Sequence, residues 1–263
     1  MLISNIKKTV KKAIRTIKSL IWIIRDYSKF KRILISKYGF YQIRPFKLSL
    51  WRNGTKYFHA YHTDTVKRKV FIKTMGKHND VLREADMLKT IEEQRRANQH
   101  WKTPKVISLQ IDGEYAFVAM EYIEGVSLSK LIRENRLSIN DKTRIANAFV
   151  HFIEFVHNHQ IIHRDLRPDN ILVSTTSGDI EIVIIDFALA VNLAVDERED
   201  SDINQPREIL AVLGSGFNPE PFVWDDAYSL HRIIQIMDTT NEVNPELSQI
   251  MESKIGKVTY HLR

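Results

Sequence analysis

The sequence predicts an α+β chain in which antiparallel strands come first and helices follow. Three observations carry that expectation. Residues 46 to 73 hold Phe46, Leu48 and Leu50, then Tyr57-Phe58-His59-Ala60-Tyr61, then Val70-Phe71-Ile72-Lys73, an alternation that suits half-buried strands. From Asn140 to Gln160 the spacing lengthens, with Ile145, Ala148, Phe149, Phe152, Ile153 and Val156 on one side of a helix. Beyond it, short apolar runs end in acid or amide side chains. Ile161-Ile162 leads into His163-Arg164-Asp165-Leu166-Arg167-Pro168-Asp169-Asn170, Ile171-Leu172-Val173 leads out, and Ile182-Val183-Ile184-Ile185 delivers Asp186. Buried β-branched runs that end this way hold polar groups rigidly at the rim of a cleft.

At 263 residues the chain is long enough for one large domain or two smaller lobes. Its 43% hydrophobic and 27% charged content is ordinary for a globular protein. With no cysteine there is no disulfide framework, thiolate metal site or cysteine nucleophile, which fits a reducing compartment. The formal charge of +7 is uneven. Residues 1–40 hold 11 of the 39 Lys and Arg and one acid, Asp26, for a net of +10. The other 28 basic and 31 acidic residues leave the rest of the chain at −3.

Within that basic segment, Ile3, Ile6, Val10, Ile14, Ile17, Leu20, Ile21 and Ile24 recur every three or four residues, and Lys7, Lys8, Lys11, Lys12, Arg15 and Lys18 fill the other faces. An apolar stripe flanked by lysines suits an anionic membrane surface, where each Lys or Arg adds about 1 kcal/mol. The same stripe could instead dock on the folded domain and leave the lysines in water. Nucleic-acid binding ranks third, because no stacking or base-reading motif accompanies the charge. The run from Leu20 to Ile24 is far shorter than the roughly 18 residues that span a bilayer, and lysines interrupt any signal-peptide pattern.

The stretch His163 to Asn170, answered sixteen residues later by Asp186-Phe187-Ala188, resembles the catalytic loop and metal-binding motif of the protein-kinase superfamily. The resemblance covers about residues 46–235. It implies a two-lobed protein-kinase-like fold: a small antiparallel β-rich N-lobe over 41–122 and a mainly helical C-lobe over 123–263, preceded by the basic helical segment 1–40. Only 33 residues follow Leu230, so the C-lobe is expected to be truncated.

In the N-lobe, Asn53-Gly54 and Thr63-Asp64 supply turns between three strands. By resemblance Lys73 would grip the α- and β-phosphates of ATP, paired with a glutamate of the next helix. That helix spans about 80–91, and Glu84 is preferred to Glu92 for its flanking apolar spacing. Family members cover the phosphates with a loop of three glycines, where this chain has only Gly54. The family's small alanine two residues before the lysine is here Phe71, on the same face of the strand. A phenyl ring there would crowd adenine. Tyr115 to Met120 reads as a strand, and Glu121 and Ile123 would offer backbone groups to adenine, with Met120 behind.

In the C-lobe the resemblance makes Asp165 the carboxylate that orients the acceptor hydroxyl and takes its proton. Asn170 and Asp186 would be the oxygen ligands of Mg²⁺, and Arg167 would clamp a phosphate oxygen. Ala188 stands where a glycine is usual and limits backbone freedom. Gly214-Ser215-Gly216-Phe217-Asn218-Pro219-Glu220 resembles the end of an activation segment, with Ser201 and Ser215 inside the segment. Asp226, with Asp225 as alternative, resembles the aspartate that braces the catalytic loop. The histidines His151, His157, His159 and His163 lack a compact ligand spacing, so no metal cluster is expected.

These implications amount to an ATP- and Mg²⁺-dependent transfer of the γ-phosphate to a hydroxyl acceptor, first of all Ser or Thr of a protein. A membrane-associated kinase of a lipopolysaccharide or glycolipid sugar is the alternative, and a pseudokinase scaffold the third reading. The expected location is cytoplasmic, with peripheral attachment to the cytoplasmic membrane face through residues 1–40.

Overall fold

The computed structural model describes residues 2–51, 54–63, 68–75, 78–95, 99–175, 179–195, 207–239, 243 and 245–262. The chain divides into two compact units, Met1–Ala85 with Lys105–Tyr122, and Asp86–Pro104 with Ile123–Arg263.

The first unit opens with helices α1 (Leu2–Arg25) and α2 (Tyr27–Tyr38), then strands β1 (Phe40–Pro45), β2 (Lys56–His62) and β3 (Lys69–Met75). Helix α3 (His78–Gln94) crosses the division between the units. The second unit includes β4 (Trp101–Lys102), and the first regains β5 (Val106–Gln110) and β6 (Ala116–Glu121). The first unit's sheet runs β1-β2-β3-β6-β5, antiparallel throughout.

The expected first strand over Phe46–Leu50 is wrong. Residues 48–50 form a 3₁₀ turn entered through Lys47 at φ +37°, and Leu48 and Leu50 are exposed. The strand that pairs with β2 on this side is β1, which ends three residues before that turn begins. A register shift between Tyr41 and Arg44, with Gln42 at φ +50°, puts both Phe40 and Ile43 inward. A bulge of this kind breaks the period of two, so the alternation that marks a strand was not there to read.

The segment 1–40 also differs from the reading of its stripe. Phe30 and Leu34 of α2 are fully buried in one cluster with Phe40, Trp51, Phe58, Val70, Ile72 and Phe117. Helix α1 joins that cluster through Trp22 and Ile23, with the Trp22 ring 5.7 Å from those of Trp51 and Phe58. Lys56 Nζ lies 4.9 Å over the Trp22 ring. The isoleucine stripe lies elsewhere on the helix: Val10, Ile14, Ile17, Ile21 and Ile24 are all exposed, from 47% to 83%. The docked face is therefore the one holding the tryptophan, and the stripe faces water. Among the described residues no helix is long and apolar enough to cross a membrane.

The second unit continues with β7 (Val126–Ser127), α4 (Leu128–Arg133), α5 (Ile139–Asn158), β8 (Ile161–Ile162), β9 (Ile171–Ser174), β10 (Glu181–Ile184) and β11 (Val191–Asn192). Then come α6 (Arg207–Leu210), β12 (Val223–Trp224), α7 (Asp226–Met237), α8 (Pro245–Glu252) and β13 (Tyr260–His261). Ser138 starts α5 with a capping box, its hydroxyl accepting from Asp141 N–H while the Asp141 carboxylate accepts from Ser138 N–H. The expected apolar face of α5 is buried, and its Phe152 and Phe155 rings lie 5.1 and 5.0 Å from Trp101. Strands β9 and β10 form a hairpin that carries the residues after it into the site.

Phe58 is the hub of the first core, within 6 Å of the rings of Trp22, Tyr27, Phe30 and Trp51. Phe58→Ala should therefore lower unfolding stability by about 3–5 kcal/mol, and Phe58→Leu by clearly less, in urea titrations of the full chain.

Candidate active site

Strand β3 and helix α3 bring Lys73 and Glu84 together. Lys73 Nζ lies 3.1 Å from Glu84 Oε1 and 2.9 Å from Oε2, with the residues 4% and 1% exposed. Alternation along β3 puts Val70 and Ile72 into the core and leaves Phe71 and Lys73 on the opposite face. Phe71 shares that face with other aromatics. Its ring stacks on Tyr57 at 5.7 Å and meets Phe46 edge-on at 5.5 Å, and Phe46 meets Tyr122 at 6.5 Å. Lys69 Nζ sits 3.7 Å over the Tyr122 ring. The strand register pairs Lys73 with Tyr57 and Val118, and Phe71 with His59 and Met120. The aromatic shelf thus surrounds the position read from the sequence as crowding adenine.

The other expected nucleotide contacts of this unit are unevenly placed. Glu121 N–H donates to Lys105 O at 2.8 Å, and its carboxylate lies 3.4 Å from Arg68. Met120 is buried at the end of the strand. Gly54 has φ +86°, while Arg52 and Asn53 of the same loop and Asp64 of the next turn lie outside the described residues. Ile123 begins the second unit's long segment and is half-buried.

In the second unit the loop His163–Asn170 is built from backbone outwards. Asp226, at the start of α7, accepts the N–H groups of His163 at 2.6 Å and Arg164 at 3.3 Å. Asp225 instead caps α7 by accepting from Tyr228 N–H, and its second oxygen accepts from Gly256 N–H at 2.7 Å. His163 is fully buried, its Nε2 is 3.0 Å from Ile185 O, and its Nδ1 is 3.3 Å from Asp165 N. A carbonyl facing one nitrogen and an N–H facing the other select the tautomer protonated at Nε2. Phe187 closes against this ring edge-on at 4.5 Å.

Both oxygens of Asp165 are engaged. Oδ1 accepts from Gly214 N–H at 3.1 Å and Oδ2 from Asn170 Nδ2 at 2.9 Å. Burial pushes the Asp165 carboxyl up to about 6; nearby Arg167 pulls it down, Asp186 pushes it up, and the two hydrogen bonds act to lower it. Gly214 has φ +67°, and a Cβ there would stand 2.8 Å from Arg164 O and 2.3 Å from Asn218 Oδ1. Glycine is required at that approach. Its role was invisible in the sequence, since a backbone donor leaves no side-chain signature.

Asn170 Nδ2 donates to both the backbone and side-chain oxygens of Asp165, which leaves Oδ1 as the atom it can offer a cation. Asp186 is half-buried and held left-handed at φ +70°, ψ +61°, a conformation that costs a non-glycine residue energy and concentrates at functional sites. An amide oxygen and a carboxylate form a hard donor set that fits Mg²⁺. Arg167 is exposed, 3.7 Å from the Asp169 carboxylate. The histidines do not gather: among the described residues no group of three or more His, Cys, Asp or Glu could hold a metal. His159 Nδ1 is instead bonded to Phe155 O. Asp196 to Asp202, including Ser201, lie outside the described residues, and Ser215 is exposed.

Comparison with known proteins identifies the family. The family model described as "Protein kinase domain" matches residues 54–206. "Calcium-dependent protein kinase 4" of Plasmodium falciparum is 25% identical over 207 residues, covering 78% of this chain and 38% of that protein. "Probable serine/threonine-protein kinase PknB" of Lactococcus lactis is 26% identical over 184 residues, 59% of this chain and 29% of the relative. "Serine/threonine-protein kinase pkn2" of Myxococcus xanthus is 26% identical over 126 residues, 47% and 15% respectively. The matched region thus spans well under half the length of each of these relatives.

The buried pair in the first unit separates stability from chemistry. Glu84→Ala removes the carboxylate paired with the buried Lys73 ammonium and should cost about 3–5 kcal/mol of stability. Lys73→Met combined with Glu84→Leu should recover most of it, as read by chemical denaturation, while removing the buried ammonium from β3.

Proposed function

The chain belongs to the protein kinase family, and on that premise we propose that it is an ATP- and Mg²⁺-dependent phosphotransferase acting on a hydroxyl, first of all Ser or Thr of a protein. One observation carries the reading: Asp165 is a carboxylate raised to about 6 by burial and fixed at both oxygens by Gly214 and Asn170. A base with a pKa just below neutrality is ionised at pH 7 yet basic enough to take a proton. Asp165 would orient the acceptor hydroxyl and receive its proton as the oxygen bonds to the γ-phosphorus and ADP departs with the electron pair. Lys73, aimed by Glu84, would hold the α- and β-phosphates. Arg167 presents a planar cation beside the base for a phosphate oxygen. Asn170 Oδ1 and Asp186 would hold Mg²⁺, which when bound neutralises charge on the transferring phosphate. The names of two relatives, serine/threonine-protein kinases, support a protein acceptor.

A second reading, a kinase of a lipopolysaccharide or glycolipid sugar attached peripherally to the cytoplasmic membrane face, draws on the exposed stripe of α1. Val10, Ile14, Ile17, Ile21 and Ile24 recur at spacings of four and three, all exposed, on a helix that contains no acidic residue. A second copy of the same helix would bring like charges together, whereas anionic lipid would attract them. A pseudokinase scaffold is supported by the Phe46, Tyr57 and Phe71 shelf.

Transfer of label from γ-³²P-ATP, offered to protein acceptors, to the chain itself and to a membrane glycolipid fraction, separates the three. Asp165→Ala and Asp186→Asn should each lower kcat by about a hundredfold or more, and equal labelling by wild type and both variants would sink the mechanism. Because the base must be ionised, kcat/KM should fall as pH drops through about 6.

Membrane attachment is tested by co-sedimentation with phosphatidylglycerol and phosphatidylcholine vesicles. Deleting residues 1–40 would remove Phe30 and Leu34 from the core, so the informative variant is Ile17→Glu with Ile21→Glu. Binding to anionic vesicles should be lost in this variant with no change in melting temperature. Equal binding by variant and wild type would refute attachment through this face.

A further inference from the structure

Arg164, the residue before the base, is a buried cation that the phosphotransfer scheme does not use. It is 1% exposed and sits at φ +67°. Its Nε donates to Leu189 O at 2.5 Å. Its guanidinium carbon lies 5.3 Å from the Trp224 ring centroid and 5.2 Å from that of Tyr260. The two rings are themselves 5.7 Å apart and tilted by 35°, so the cation and the two rings form a near-equilateral triangle in which Arg164 meets both neighbours at once. Strand pairing holds the rings in place, because β12 and β13 set Trp224 opposite Tyr260. Leu262 N–H donates to Phe222 O just beyond.

The same aromatic pair reaches Asp165 by a second path. Trp224 Nε1 donates to Leu213 O at 3.1 Å, as does Asn218 Nδ2. Leu213 is buried with Trp224 and Tyr260 in one cluster. The next residue, Gly214, gives its N–H to Asp165 Oδ1. Trp224 and Tyr260 therefore hold the base through its backbone neighbour Arg164, and Trp224 also holds it through the Leu213-Gly214 turn.

We propose that Trp224 and Tyr260 are positioning residues for phosphotransfer, with the cation–π contacts of Arg164 fixing the catalytic loop so that Asp165 meets its acceptor in one orientation. This rests on the reading of Asp165 as the base. A desolvated guanidinium against two rings is held much more firmly than one against aliphatic groups. The loop is strained at Arg164, and strain of this kind persists only where the surroundings over-determine it.

The test uses the full chain with Tyr260→Leu, which keeps apolar volume but removes the π face, and Tyr260→Phe, which keeps the face. Kinase kinetics are measured alongside hydrogen–deuterium exchange of the peptide 161–170. Tyr260→Leu should lower kcat by about tenfold with KM for ATP within twofold, and should speed exchange in that peptide. Tyr260→Phe should match wild type in both. Wild-type kcat and exchange in Tyr260→Leu, or equal losses in the Leu and Phe variants, would overturn the proposal. If Asp165→Ala retained full activity, the base assignment would fail, while faster exchange confined to Tyr260→Leu would still report the hold on the loop. Tyr260→Leu at wild-type exchange would remove that hold whatever the kinetics.

Discussion

A carboxylate with almost no exposed surface, Asp226, accepts the backbone N–H groups of His163 and Arg164, and the geometry of the loop His163–Asn170 depends on it. Burial pushes Asp226 up to about 7, and the two N–H bonds and the Arg164 guanidinium act against that rise, while Asp225 adds to it. The arrangement spends a buried acid on main-chain groups, whose positions no substitution in the loop itself can supply. From those two fixed amides the rest follows in steps. His163 is held in one tautomer between Ile185 O and Asp165 N–H, Phe187 closes on its ring, and Asp186 is carried between them.

Around Asp165 the polar groups are joined in a chain in which each side chain answers a backbone group. Asn170 spends its amide hydrogens on Asp165, Asp165 spends its two oxygens on Asn170 and Gly214, and Trp224 spends its indole N–H on Leu213 O. Networks closed in this way rigidify a site, since breaking one bond leaves a buried group without a partner. The first unit solves a different problem. It keeps one charged pair, Lys73 and Glu84, away from water on a sheet whose neighbouring positions are aromatic.

Much of this was legible where side chains carry the information. Helix α5 and strand β6 fell within two residues of their expected limits because their apolar spacing is regular. Asp165, Asn170 and Asp186 stood out because charged and amide groups interrupt β-branched runs. Reading failed where backbone geometry decides. The 3₁₀ turn at Leu48–Leu50 imitates strand alternation, and the true strand β1 hides behind its irregular register. In α1 the apolar stripe was visible, but the single Trp22 chooses which face docks. Aromatic area outweighs several isoleucines when complementary rings await it. The contacts of Gly214, Trp224 and Tyr260 join positions distant in sequence and have no local pattern at all.

The irregularity in β1 has a consequence for the protein beyond its own fold. This strand is an outer member of the five-stranded sheet, and a flat outer strand offers its free N–H and C=O row to any passing extended chain. With Gln42 at φ +50° and the register broken between Tyr41 and Arg44, that row is bent out of line. A newcomer could match only a few consecutive backbone groups before losing step. The same bulge that turns Phe40 and Ile43 inward thereby guards the sheet against growing from one molecule into the next.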